Sequence, residues 1–360
     1  NIAGGKDLVG EIPRERFRWE DFHGEGIPED RRITSPCGGF IQDADRFDPL
    51  LFNLSPLEAE LMDPQQRLFL ETVWRTLEDA GYRPEALAQG KTGVFVGVSN
   101  VDYRDVLASA GRLAEIYITT GLSTSLVANR ISYLFDWSGP SEPVETGCSS
   151  SLVALHRAVA ALHAGDCDAA VVGGVNLLLS PTPFIACSRA GMLSPDGRCM
   201  TFDKRANGYV RGEGAGAPLL KPLSRALADG DRIHAVIRGT AVNHGGHAQG
   251  LTVPNPSAQA EVLASVYEKA GGDPATLRFI GAHGTGTSLG DPIEVNGLRK
   301  LFHHFHGDKS PEGARCGLGT VKTNIGHLES AAGIAGVIKV ILSLKHRTLP
   351  KSLHCQEVNP

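Results

Sequence analysis

The stretch that decides the reading of this chain is Val144-Glu-Thr-Gly-Cys-Ser-Ser-Ser-Leu-Val-Ala-Leu-His156. Small residues surround Cys148, and an amphipathic helix pattern follows at once, with Leu152, Leu155, Val159 and Leu162 at helical spacing. Gly147 removes a Cβ where the backbone would turn sharply. The pattern therefore places a thiol at a helix N-terminus. Free N–H groups and the helix dipole there favour a thiolate and a developing oxyanion, and such surroundings lower a thiol pKa from ~8.5 towards roughly 3.5–7.5. Taken alone, Cys148 fits a protease nucleophile, a thiolase nucleophile or a small buried core residue.

Working outward, short β-branched runs alternate with helix patterns. Gly93-Val-Phe-Val-Gly-Val98, Ala169-Ala-Val-Val-Gly173 and Ile233-His-Ala-Val-Ile-Arg238 read as strands of an α/β fold. Three capping boxes mark helix starts: Ser55-Pro56 with Glu58, Asp63-Pro64 with Gln66, and Asp291-Pro292 with Glu294. The second opens a helix with Leu68, Leu70, Val73, Trp74 and Leu77 on its apolar side, ending near Gly81. Each half of the chain offers a reactive residue before a long helix. Cys148 does so in the first half; in the second, His327 precedes Ile334, Val337, Ile338, Ile341 and Leu342. Related halves at about 1–221 and 222–360, with reactive groups at their junction, follow.

Composition narrows the class. The chain has 360 residues, 41% hydrophobic, with 43 glycines and a net charge of −5. Neither the charge nor any basic run interleaved with aromatics points to nucleic acid. No apolar run reaches the ~20 residues needed to cross a bilayer, so the chain reads as cytoplasmic, with no membrane partner. The seven cysteines show no C-x-x-C pair or zinc-ligand spacing, so no metal is expected, and an odd count argues against a disulfide framework and for a reducing compartment. Gly212-Glu-Gly-Ala-Gly-Ala217 fits a loose dinucleotide pattern, but Pro218 follows where a helix should continue. His303-His304-Phe-His306 reads as a solvated loop without carboxylate or cysteine at ligand spacing.

Two glycine-rich segments supply partners for the thiol: Gly281-Ala-His283-Gly-Thr-Gly-Thr287-Ser-Leu-Gly-Asp-Pro-Ile-Glu294, and Val321-Lys322-Thr-Asn-Ile-Gly-His327-Leu-Glu-Ser. Cys148, His283 and His327 in this order resemble the condensing enzymes, specifically the β-ketoacyl synthase domains of modular type I polyketide synthases. The resemblance runs along nearly the whole chain. It is carried by Phe47-Asp-Pro-Leu50, Met62-Asp-Pro-Gln-Gln-Arg-Leu-Phe-Leu-Glu71, Gly191-Met-Leu-Ser-Pro-Asp-Gly-Arg198, Asn207-Gly-Tyr-Val-Arg-Gly-Glu-Gly214 and Val253-Pro-Asn-Pro256. The segments Glu142-Pro-Val-Glu-Thr146, Asn243-His-Gly-Gly246 and Val295-Asn-Gly-Leu298 look most like synthases served by a separate acyltransferase.

The resemblance implies a single ketosynthase domain over 1–360, a thiolase-like fold of two α/β halves in five αβαβα layers, and a homodimer. It implies that Cys148 takes the acyl chain from a carrier-protein thioester, and that His283 and His327 stabilise the enolate oxygen as malonyl-carrier loses CO2. By the same resemblance Lys322 supports the histidines, and Thr285 and Thr287 offer hydroxyls to the phosphopantetheine arm of the acyl carrier protein. No cofactor is bound by the domain itself. Three departures are visible. The family usually has alanine at Gly147 and glutamate at Gly281, and the chain lacks the family's opening strand and its later glycine-rich loop, as a fragment of a longer polypeptide would. Gly281 and the missing end segments support, as the runner-up, a domain that holds or transfers an acyl chain without elongating it.

Overall fold

Strands Thr92–Gly97 and Ala169–Asn176 are buried along their whole length, as expected of nearly continuous apolar runs covered on both faces. They pair in parallel, with Val94 opposite Val171 and Gly97 opposite Gly174. Ser141–Val144 adds in parallel to the outer side of Thr92–Gly97. On the other side, Gly214–Gly216 and Leu219–Leu220 both pair antiparallel with Ala169–Asn176. The computed structural model describes residues 2–308 and 315–359; positions 1 and 360 of the expected span lie outside the described residues.

The two faces of this sheet are covered by helices the sequence marks well. Ser55 Oγ accepts the Glu58 N–H at 3.1 Å, and Asp63 Oδ1 accepts the Gln65 N–H at 2.8 Å, so both proline-led helices start where the caps predict. Helix Pro64–Ala80 ends at Gly81, whose φ of 74° closes the last turn. It buries Phe69, Leu70, Val73 and Leu77 in a cluster with Val94, Val96, Val171 and Val175. Across the sheet, helix Ser150–Ala164 packs Ala154, Leu155, Ala158 and Ala161 with Phe95, Ala170 and Val172. The strand alternation thus sends neighbouring residues to two different cores.

Helix Ala332–His346 packs against helix Ser150–Ala164 on one side and strand Phe279–Gly281 on the other. That strand pairs in parallel with Gly317–Gly319. Beyond this small sheet, helices Pro256–Ala270 and Gly290–His306 form a closely packed pair. Reading across the molecule gives helix, sheet, helix, sheet, helix, a thiolase-like α/β arrangement.

Two expectations are corrected here. Ile233–Arg238 forms no strand: among the described residues no neighbouring edge supplies its ladder, and Ile233, Val236 and Ile237 stay largely exposed. Alternation predicts a strand only where a partner completes the hydrogen bonds. His303, His304 and His306 are not in a loop but in the last turn of helix Gly290–His306, where cations suit the dipole. Each meets a carboxylate, Asp308, Glu268 and Asp273 respectively. Among the described residues no helix is long and apolar enough to cross a membrane.

Candidate active site

Cys148 lies in the single tight turn Gly147–Ser149, immediately before helix Ser150–Ala164. Gly147, expected at a sharp turn, has φ of 63°, the left-handed conformation that glycine adopts readily. Ser150 Oγ donates to the Gly147 carbonyl at 2.7 Å and accepts the Thr146 N–H at 2.9 Å, which locks the turn. The thiol opens into a cleft of about 1320 Å³ whose walls include Leu152, Val159, Ile341, His283 and Lys322. The apolar stripe from Leu152 to Leu162 therefore faces this cleft, while the alanines between its members face the sheet.

The expected lowering of the thiol pKa is reversed. Burial at the cleft floor, then the Glu329 carboxylate, push Cys148 above the ordinary thiol range, and Lys322 opposes them more weakly. Although Cys148 has exposed surface, protein surrounds it on the remaining sides. The N–H groups beside it are already spent, that of Thr146 on Ser150 and that of Gly147 on Glu145. The Cys148 backbone N–H still favours the thiolate, but less than burial and the Glu329 charge disfavour it.

His283 lines this cleft, and His327 stands behind it. Their ring centroids are 5.4 Å apart and nearly perpendicular. His327 is only 2% exposed. The Glu329 N–H donates to His327 Nδ1 at 2.9 Å, so the neutral ring carries its proton on Nε2. Burial, then the positive charge of Lys322, hold His327 well below the ordinary imidazole range. The same two causes push His283 down, although one side of its ring opens to the cleft. Both rings are thus neutral hydrogen-bond donors at neutral pH. Lys322 is buried, and its Nζ donates to the His283 carbonyl at 2.6 Å.

The glycine loop around His283 is held by side chains the sequence reading assigned elsewhere. Glu294 Oε1 and Oε2 accept the N–H groups of His283 and Gly284 at 2.6 and 2.8 Å. Asp291 takes the N–H groups of Gly286 and Phe202 at 3.1 and 2.7 Å. The expected capping box at Asp291-Pro292 is therefore corrected. Helix Gly290–His306 begins two residues earlier, so Asp291 sits inside its first turn and both acids reach back across the loop. Thr285 and Thr287 hydrogen-bond to each other at 3.2 Å, and Thr287 also receives the Gly290 N–H, so they brace this loop and do not line the cleft.

A second group missed in the sequence surrounds His327. Arg211, 2% exposed, pairs bidentately with Glu329 at 2.5 and 3.0 Å. Tyr209 sets its ring 5.3 Å from that of His327 and directs its hydroxyl to Cys187 Sγ at 3.6 Å. The His327 N–H donates to the Val210 carbonyl at 2.7 Å, and its own carbonyl accepts the Gly212 N–H at 2.8 Å. Gly39 crowds the same strip: a Cβ there would stand 1.9 Å from the Ile325 carbonyl oxygen. The run Asn207–Gly214 carried a signal for these residues, since arginine and glutamate flanked by glycines imply a charge fixed where backbones approach closely.

The combination available is a thiol in a cleft, two neutral imidazoles with at least one fixed tautomer, and a buried ammonium. Comparison with known proteins gives it a context. Residues 1–226 match the family described as "Beta-ketoacyl synthase, N-terminal domain", and residues 234–356 the corresponding C-terminal domain. The chain is 49% identical over 363 residues to polyketide synthase PksN of Bacillus subtilis, spanning all of this chain and 7% of that protein. It is 47% identical over 359 residues to polyketide synthase ThaG of Burkholderia thailandensis, of which it spans 6%. Among solved structures, the oxazolomycin ketosynthase domain OzmH KS7 of Streptomyces albus superposes with a TM-score of 0.94 at 45% identity, covering all of this chain and 61% of that one. The ketosynthase from module 6 of the bacillaene synthase of Bacillus subtilis gives 0.90 at 39%, with coverage of 100% and 60%.

Proposed function

The chain belongs to the β-ketoacyl synthase family, and from that membership we propose that it elongates acyl chains on a polyketide assembly line. Its two halves, 1–221 and 222–360, act as one ketosynthase unit. The observation that carries the reading is the meeting of Cys148, His283 and Lys322 on one cleft with His327 behind them. The Cys148 sulfur attacks the carbonyl of an acyl thioester on a carrier's phosphopantetheine, and the carrier thiol leaves with the proton. Malonyl on a second carrier then loses CO2, and the electron pair of the broken C–C bond moves into the thioester carbonyl. The enolate oxygen takes hydrogen bonds from the Nε2–H of His327 and from His283. The enolate carbon attacks the acyl-Cys148 carbonyl, and the Cys148 thiolate departs, leaving a β-ketoacyl thioester on the carrier.

Neutral imidazoles suit this role, because they stabilise the enolate oxygen without protonating its carbon. Lys322, which favours the neutral rings, supports both. Thr285 and Thr287 contribute to the phosphopantetheine path through the loop they brace. The partners proposed are acyl carrier proteins, a second copy of the chain as a homodimer, and a separate acyltransferase that loads the extender. No cofactor is held by the domain, and it works in the cytoplasm. Acyl-carrier and malonyl-carrier offered together, with intact mass and product followed, test the reading. Wild type is expected to gain the acyl mass and release a β-ketoacyl product; Cys148→Ala is expected to gain no mass. Acylation of wild type without CO2 release would instead establish the non-elongating alternative.

A further inference from the structure

Lys339 sits in the middle of helix Ala332–His346 and is only 3% exposed. Its ammonium has one hydrogen-bond acceptor, the Thr320 carbonyl at 2.8 Å, and stands 5.7 Å from the centroid of the Phe279 ring. Among the described residues no carboxylate is paired with it, and burial pushes its pKa down. A buried cation with so little compensation is costly, and a methionine would fill the same space without that cost. The residue it grips explains why it is useful. Thr320 follows strand Gly317–Gly319, and its hydroxyl donates to the His283 carbonyl at 3.5 Å and accepts the Lys322 N–H at 3.3 Å. The Lys322 ammonium reaches that same His283 carbonyl. Thr320 is therefore the joint between helix Ala332–His346 and the loop bearing His283.

Position 281 makes the joint one-sided. Gly281 ends the strand leading into His283 and supplies no side chain where the resemblance gives a glutamate. A Cβ there would meet Phe279 and Val340, each at 3.8 Å, so the vacant position adjoins the ring over which Lys339 stands and the residue after it. With no carboxylate at that strand end to draw it away, the Lys339 ammonium is given to the Thr320 carbonyl.

We propose that Lys339 is a positioning residue for the decarboxylation step, holding Thr320 so that its hydroxyl and Lys322 fix the His283 loop. The inference rests on the reading of His283 as an enolate-oxygen donor. In Lys339→Met, kcat for CO2 release from malonyl-carrier is expected to fall about 10- to 100-fold, the scale of a misplaced catalytic group. KM and the rate of Cys148 acylation are expected to stay within about twofold, and Lys339→Arg is expected to recover most of the loss. Equal losses in acylation and decarboxylation, or no loss, would overturn it. Where Lys339→Met does not fold, Lys339→Gln is measured for the same ratio, and an unchanged ratio overturns the inference. His283→Ala separates the two levels. If it releases CO2 at the wild-type rate, the underlying reading fails; if it is silent while Lys339→Met matches wild type, only the role of Lys339 fails.

Discussion

Removing the Glu329 carboxylate tests the electrostatics of the site most directly, because that group does two separable things. It pairs bidentately with Arg211 at 2.5 and 3.0 Å, and its charge raises the Cys148 thiol pKa. Arg211 is 2% exposed and among the described residues its Nη1 has no hydrogen-bond partner, so after Glu329→Ala the guanidinium has no side-chain acceptor there and rests on the face of Phe184, 4.8 Å away. Breaking a buried pair from one side costs about 3–5 kcal/mol. Against a total stability of roughly 5–15 kcal/mol, that brings the domain close to unfolding. Glu329→Gln keeps a neutral acceptor and should cost about half as much, since charge-assisted hydrogen bonds are roughly twice as strong as neutral ones. Arg211→Met combined with Glu329→Gln leaves no stranded charge and should be more stable than Glu329→Ala. Urea unfolding reads all three. Both single variants also remove a charge that disfavours the thiolate, so alkylation of Cys148 by iodoacetamide at pH 7 should accelerate in the folded protein. A Glu329→Ala loss under about 1 kcal/mol, the range of an exposed pair, or slower alkylation would refute the reasoning.

Further outcomes follow from the same geometry. The unfolded chain takes up a proton on His327 below its ordinary pKa of 6.5, while the buried ring resists it, so this contribution to stability is intact above pH 6.5 and is lost as pH falls. Relative to His327→Gln, wild type should lose up to about 1.4 kcal/mol per pH unit below that point, and parallel stability curves would contradict this. Gly39→Ala drives a Cβ to 1.9 Å from the Ile325 carbonyl oxygen, a backbone atom, and should cost more than about 3 kcal/mol or prevent folding, as judged by circular dichroism and thermal melting. Gly147→Ala meets nothing within 4 Å, so only its φ of 63° resists, and the expected loss in the same melts is about 1–2 kcal/mol.

The first half of the fold was legible because its signals are local. Ser55 and Asp63 cap helices using atoms within three residues of themselves, and Gly147 and Gly81 have the left-handed backbone that their positions require. Asp291 and Glu294 carry the same local signature, yet their oxygens are drawn to N–H groups of a loop that folds back over the helix start. A sequence pattern offers the acceptor without saying which donor reaches it first. Ile233–Arg238 fails for a related reason, since a strand depends on a neighbour that its own residues do not specify. Within the site, the glycine-flanked histidines stood out, but Glu329, Tyr209, Thr320 and Lys339 did not. Their contributions are contacts between the Asn207–Gly214 run, strand Gly317–Gly319 and the last long helix, and those contacts exist only after folding.

The pKa reversal at Cys148 follows from how one cation serves three groups. Lys322 favours the thiolate of Cys148 and the neutral forms of both histidines. These effects have a common sense: each removes a proton from the cleft. Burial acts differently on the two kinds of group, because it disfavours whichever form is charged. For the imidazoles it adds to Lys322, and the rings are held neutral. For the thiol it opposes Lys322, joined by Glu329, and the thiol stays protonated at rest. A resting thiol beside two neutral imidazoles limits adventitious alkylation and oxidation, both of which need the thiolate. On the proposed reaction, the proton must then leave only as an acyl thioester arrives and its departing carrier sulfur can accept it.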